Sequence, residues 1–313
     1  MTSVNSLDFA QDALPETPGE ALATAFDFFT SSEPRFTVET RTAGTIVPML
    51  THPQIDPVAL ALGPLKVHWY GLMYLAGFYG AWWLGTVRAR QPHIGWQREQ
   101  VTDLLFYIVL GVILGGRIGY TLFYNLDRFL AEPTMILRMW EGGMSFHGGL
   151  IGVIVAYFWF ARVKQRNVFD IADFAAPLIP VGLLAGRIGN FINGELYGAP
   201  TDLPWGMVFP MAGPEPRHPS MLYEALLEGV VMLALLWWFG RRPRPRMAVS
   251  GLFLVLYAVF RSSVELVRLP DAHIGYLHGT TWFTMGMQLS LPMLVLGLIM
   301  LGVAYGRPRA NGG

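Results

Sequence analysis

The chain has 313 residues, 53% of them hydrophobic and 14% charged, with a mean hydropathy of +0.40; a soluble domain carries about 25% charged residues, so the composition points into a membrane. Basic and acidic residues balance at 22 each, and no basic footprint argues for a nucleic-acid partner. Cysteine is absent, which excludes disulfides, thiolate metal sites and a cysteine nucleophile of the protein's own.

Residues 1–48 differ from the rest. Asp8, Asp12, Glu16, Glu20, Asp27, Glu33 and Glu39 outnumber Arg35 and Arg41 among scattered Ser, Thr and Pro. No basic segment followed by an apolar one opens the chain, so no cleavable signal peptide is expected. The segment reads as a flexible acidic extension, or as sequence upstream of a start at Met49. Residues 49–306 form a seven-helix transmembrane catalytic domain in this reading, and 307–313 a basic cytoplasmic tail.

A span needs about 20 mostly apolar residues. Seven runs qualify, at roughly 69–87, 104–124, 145–161, 171–192, 220–240, 249–267 and 283–305. The expected fold class is therefore all-α. The segments RARQPHIGWQR, ARVKQRN, RRPRPR and the C-terminal GRPRANGG carry 3, 3, 4 and 2 basic residues. The alternate loops hold Arg128, Arg138, Arg217 and Arg268. That asymmetry puts the C-terminus in the cytoplasm and, with seven spans, the N-terminus outside. Small residues at helical spacing, Gly111, Gly115 and Gly119 in span two and Gly182 and Gly186 in span four, predict close helix contact. The tetrapeptide GRIG occurs twice, at 116–119 and 186–189; a distant duplication and coincidence both account for it.

Ionisable residues inside a span are functional candidates. Arg117, Arg187, Glu224, Glu228, Arg261 and Glu265 are such residues. On the expected topology the arginines lie late in outward-running spans. Tyr70, His147 and the His218–Glu224 stretch lie early in inward-running ones. Every polar cluster then falls in the outer half of the membrane. Snorkelling or a structural salt bridge explains Arg117 alone equally well. It explains the set less well, because Asn, Gly and His do not reach far. Guanidinium suits a phosphate oxyanion, so a phospholipid headgroup is the natural ligand. Tyr257, Arg261 and Glu265 share one helix face, and Arg268 continues it. Arg187 and Asn190 likewise share a face, and the glycines of NGELYG let backbone approach a ligand. His147 stands without a second ligand at metal spacing, so no metal site is expected. Its residue type suits general-base work near neutral pH.

The stretches WYGLMY (69–74), GGRIGY (115–120), MSFHGGLIG (144–152), GRIGNFINGELYG (186–198), RHPSMLYE (217–224) and FRSSVELVRLPD (260–271) occur together and in order. In these motifs the chain resembles the bacterial phosphatidylglycerol–prolipoprotein diacylglyceryl transferases, over about residues 49–305. The resemblance implies a multi-pass enzyme of the inner membrane with its active site toward the outer leaflet. It would move the diacylglyceryl group of phosphatidylglycerol to the lipobox cysteine of a preprolipoprotein signal peptide. A thioether would form, glycerol 1-phosphate would leave, and no cofactor would take part. It marks His147, Tyr70, Arg187, Asn190, Glu195, Gly198, Tyr257, Arg261 and Glu265 as functional positions. His147, Tyr70, Arg187, Arg261 and Glu265 are expected to be catalytic. Arg117, Asn190, Asn193, Glu195, Gly198 and Tyr257 are expected to bind substrate. His147 is the first candidate for the base that takes the thiol proton, and Tyr70 the second. One departure stands out: Met221 occupies a position where the family pattern more often has Gln. A transporter and a non-catalytic lipid-binding protein are the rival classes. The first predicts ionisable groups near the bilayer midplane, the second a dispensable His147.

Overall fold

The computed structural model describes residues 38–42, 45–63, 65–270 and 274–306. Most of the acidic extension and all of the basic tail lie outside the described residues. The chain is mostly helical, but not entirely so. Strands β1 (Val38–Thr42) and β2 (Thr45–Thr51) pair antiparallel. A second hairpin, β3 (Val58–Leu62) and β4 (Leu65–His68), pairs Leu62 with Leu65, and Gly63 takes a φ of 60° at its turn. Two short strands much later in the chain, β5 (Met207–Val208) and β6 (Pro216–Arg217), extend the first sheet to the order β1-β2-β5-β6. The expected all-α class is corrected to that extent. Runs such as TIVPMLT are too short and too rich in β-branched residues to hold a helix alone, and the sheet satisfies their backbone outside the helical part.

β4 leads directly into α1 (Trp69–Ala89). Helix α2 (Arg98–Tyr124) starts at a reciprocal capping box between Gln97 and Gln100; α3 is Leu126–Ala131. Helix α4 (Phe146–Lys164) is capped by Ser145, whose hydroxyl accepts the Gly148 N–H. Helices α5 (Val168–Ala175) and α6 (Ile179–Ile192) meet at a 48° bend. Pro177 and Pro180 cause it, since neither can donate to the helical ladder. Helix α7 (Ser220–Phe239) contains a π-helical stretch, Ala225–Val231. α8 is Ala248–Glu265 and α9 is Met285–Gly306.

By length and composition α2, α4, α7, α8 and α9 can each cross a membrane, and the bent α5–α6 pair adds a sixth span. α1 is 21 residues long, but its Trp, Tyr and Gly content makes it less apolar than those six. Glycines set the tightest packing. A Cβ on Gly152 would run into the Gly111 carbonyl, and one on Gly148 into that of Gly115. The predicted stripe in span two therefore meets a matching one on α4. Gly182 and Gly186 behave otherwise, with nothing within 4 Å of an added Cβ on either. There the close approach belongs to Gly77 of α1, whose added Cβ would sit 3.3 Å from the Gly182 Cα.

Candidate active site

Helices α6, α7 and α8 bring their charged residues together at one end of the molecule. Glu224, at the first turn of α7, is fully buried. Its Oε2 lies 3.1 Å from Arg187 Nε of α6. Its Oε1 accepts from Arg268 Nη1 at 2.9 Å and from Arg261 Nη1. Arg261 Nη2 also pairs with Glu265 Oε1 at 2.5 Å, one helical turn on, and Arg268 Nε meets the same oxygen at 3.1 Å. Thr284 Oγ1, just before α9, donates to Glu265 Oε2 at 2.5 Å. Three guanidiniums thus rest on two buried carboxylates. The carboxylates are closed off, while the arginine side chains keep 13–20% of their surface open. Such a lattice holds its cations in fixed positions while part of each arginine side chain stays open. That arrangement favours an incoming oxyanion without reorganisation.

The π-helical stretch of α7 begins directly after Glu224 and carries Glu228, which is also fully buried. Neither Glu228 oxygen has a hydrogen-bond partner among the described residues; Arg187 Nη2 stands 3.9 Å away. By sequence both glutamates count only as charges within span five. The structure puts Glu224 at the centre of the site and adds Arg268 and Thr284 to it. The acidic end of RHPSMLYE, opposite an excess of nearby arginines, is the signal that could have found Glu224.

The other expected residues gather along α6 and beyond it. Arg187 Nη1 donates to Asn190 Oδ1 at 3.4 Å. Asn190 Nδ2 and Asn193 Nδ2 both donate to Glu195 Oε1, at 2.8 and 3.2 Å. Tyr70 of α1 lies against Gly189, where an added Cβ would come within 3.0 Å of its ring, and its hydroxyl is 3.5 Å from that of Tyr74. The turn after α6 is tight. Gly194 and Leu196 have φ of 66° and 61°, and Ser220 Oγ pins the turn by donating to the Leu196 carbonyl at 2.8 Å. Gly198 is buried where a side chain would strike the Val267 carbonyl and the His218 Cβ. It pairs across to Arg268, so its lack of a side chain sets where Arg268 sits. Tyr257, one turn before Arg261, is half-buried among Met232, Leu236 and Val249. Met221 is fully buried beside Met207 and Phe209. Met221 thus fills an apolar cluster beside the short strand β5.

Two expected residues stand apart. All five N–H donors of Arg117 go to backbone carbonyls of the segment after α3. Nε donates to Ile136 at 2.9 Å, Nη1 to Gly142 and Gly143 at 2.5 and 3.2 Å, and Nη2 to Met135 and Arg138 at 2.5 and 2.8 Å. This side chain holds a loop and has no donor left for a ligand. His147 sits in the first turn of α4 with its side chain exposed, its ring edge-on to Phe146. No hydrogen bond or ion pair joins it to the arginine lattice among the described residues. Beside it an apolar cavity of about 370 Å³ runs between α2 and α4, bounded by Gly115, Gly119, Ile118, Gly148, Ile151 and Trp159.

Two histidines outside the helices support the turn. His52 is buried against Phe191 and Phe209, with its Nε2 2.5 Å from the Phe191 carbonyl. Burial holds its pKa below the ordinary histidine value, the backbone hydrogen bond opposing in part. Burial likewise lowers that of His218. Among the described residues no group of three or more His, Asp or Glu is placed to hold a metal ion.

Comparison with known proteins bears on the family of the chain. Residues 57–303 match the family model described as prolipoprotein diacylglyceryl transferase. Proteins named phosphatidylglycerol–prolipoprotein diacylglyceryl transferase are close relatives. That of Methylococcus capsulatus is 59% identical over 84% of this chain and all of its own length. The Azotobacter vinelandii protein is 58% identical over 83% of this chain and 98% of its own. The one from Pseudomonas paraeruginosa is 56% identical over 84% and 98%.

Proposed function

The chain belongs to the prolipoprotein diacylglyceryl transferase family, a family of membrane transferases, and from that premise we propose its reaction in detail. The diacylglyceryl group of phosphatidylglycerol passes to the lipobox cysteine of a preprolipoprotein. The thiolate sulfur attacks the glyceryl carbon, the carbon–oxygen bond to phosphate breaks, and glycerol 1-phosphate leaves. The thiol proton goes to a base. The enzyme has seven spans, α1 supplying the first, with the N-terminus outside and the C-terminus in the cytoplasm. It lies in the inner membrane with the arginine lattice toward the outer leaflet.

The lattice itself is the observation that supports this chemistry most. A phosphodiester with one negative charge becomes a monoester gaining a second, and the open donors of Arg187 and Arg261 are positioned to meet that growth of charge. Glu265 holds both Arg261 and Arg268, and Glu224 holds all three arginines. Asn190, Asn193 and Glu195 form one hydrogen-bonded row beside Arg187, suited to the hydroxyls of the glycerol headgroup. A free thiol has a pKa of about 8.5, so a base aids its ionisation. His147 is exposed to an arriving peptide, whereas Tyr70 lies next to the lattice. We assign His147 the proton and Tyr70 the placement of the lipid. The apolar cavity beside His147 suits an acyl chain.

Purified protein mixed with phosphatidylglycerol and a lipobox peptide should raise the peptide mass by one diacylglyceryl unit. No gain, with accessible thiol and intact lipid, sinks the reading. Substituting His147→Asn should abolish the product in folded protein, and full activity there would return the base role to Tyr70.

A further inference from the structure

The helices that carry the arginine lattice at one end build a second charged site at the other. Arg88 lies 18 residues after Tyr70 on α1, about 27 Å along the axis. It reaches a cavity of about 390 Å³ between the end of α1, the start of α5 and the α7–α8 connection. Arg88, Arg166, Arg242, Arg244 and Arg246 line this cavity, with His93 beside them and only Asp170 and Asp173 in opposition. These are the basic segments that topology alone explains as a sign of orientation. Orientation does not explain their convergence.

Nor does it explain Arg88, which is 2% exposed. Its Nη2 reaches the Asp173 carbonyl at 3.4 Å, but Nε and Nη1 have no hydrogen-bond partner among the described residues. Three of its five N–H donors, one on Nε and two on Nη1, are therefore buried and unmet. A buried cation with unmet donors is unfavourable unless something supplies acceptors. The nearby carboxylates are already committed. Asp170 takes Arg246 in two bonds of 2.6 and 3.0 Å, and Asp173 caps α8 through the N–H groups of Met247 and Ser250 and the Ser250 hydroxyl. Gly240 keeps the space beside Arg88 open, since an added Cβ would stand 2.8 Å from Nη1. On the rim Arg242 is exposed and has no ion-pair or hydrogen-bond partner among the described residues.

We propose that this cavity binds a phosphate group, with Arg88 at its floor and Arg242 at its mouth. Phosphate chemistry matches the donors, because its oxygens accept several charge-assisted hydrogen bonds at once. The group comes from the headgroup of an anionic lipid or from phosphate in solution. The site is independent of the transfer chemistry and does not need it.

Binding to the purified full chain in detergent tests this, with dihexanoyl phosphatidic acid, inorganic phosphate and dihexanoyl phosphatidylcholine as probes. A saturable site for phosphatidic acid is expected that survives Arg187→Gln, is lost in Arg88→Gln and weakens at least fivefold in Arg242→Gln. Phosphatidic acid binding that millimolar phosphate does not displace identifies a lipid headgroup. Equal binding by inorganic phosphate identifies a free anion. Where Arg88→Gln does not fold, Arg242→Gln decides, since Arg242 has no partner among the described residues. Unchanged affinity in Arg242→Gln, equal binding of phosphatidylcholine, or no site surviving Arg187→Gln overturns the proposal.

Discussion

The tetrapeptide Gly-Arg-Ile-Gly occurs at 116–119 and again at 186–189, and its two arginines do opposite things. Arg117 spends every donor on the carbonyls of one loop and is 3% exposed. Arg187 rests on Glu224, touches Asn190 and keeps a fifth of its side chain open. The first is a fastener; the second, in the reaction proposed above, receives an anion. The same four residues acquire different roles because of what the chain delivers to them. Residues 135–143 close over Arg117, whereas α7 brings a buried carboxylate beneath Arg187.

That contrast can be broken at several points. The largest effect on stability should come from Glu224→Gln, which leaves three partly buried guanidiniums short of a buried countercharge. Removing one partner from such a set destabilises by about 3–5 kcal/mol. Thermal unfolding in detergent should show it, and an unchanged midpoint would mean that the lattice is not held by Glu224. Arg117→Lys comes next. Lysine has three donors in place of five and no planar fork, so a loss of about 2–4 kcal/mol is expected. Protection of the 133–143 amides in hydrogen exchange should fall with it. Protection equal to that of the parent would contradict the fastener role.

Gly152→Ala should weaken the α2–α4 pair that carries both Arg117 and His147. Overpacking of this kind costs about 1–3 kcal/mol. Gly182→Ala, where an added methyl meets nothing, should leave the midpoint close to the parent's. Equal losses for the two would remove the distinction between the stripes. The smallest effect concerns pH. The His52 pKa is lowered in the folded protein, so its share of stability is complete above the unfolded value, about 6.5. That share is lost as pH falls through the folded value, because the unfolded chain then binds the extra proton. Unfolding midpoints measured from pH 7.5 to 5 should decline, and His52→Phe should flatten the decline. A steeper decline in the variant would reverse the sign and refute the assignment.

The sequence made the helices legible because apolar length is a strong signal, and six of the seven expected spans are apolar by the same measure in the structure. It made Arg187, Asn190 and Arg261 legible through spacing on one helix face. The role of Arg117 could not be read there, since its partners lie 18–26 residues downstream in a loop whose turns follow no hydrophobic period. β2 was hidden for a similar reason. Leu50 and Thr51 pair with Met207 and Val208, far along the chain, and nothing local to TIVPMLT announces that partner. Glu224 was visible as a charge but not as a centre. Its meaning depends on three arginines from two other segments arriving at one carboxylate.

One pair of substitutions separates the role proposed for Arg187 in the transfer reaction from that of Arg117 in the fold. Arg187→Lys and Arg117→Lys make the same chemical change within the same tetrapeptide. Diacylglyceryl transfer to a lipobox peptide, expressed per folded molecule, separates them. A loss of about 100-fold or more is expected for Arg187→Lys, where the fork proposed to meet the developing phosphate charge is gone, and activity within about threefold of the parent for Arg117→Lys. Equal losses, or the larger loss at Arg117, would contradict that division of roles.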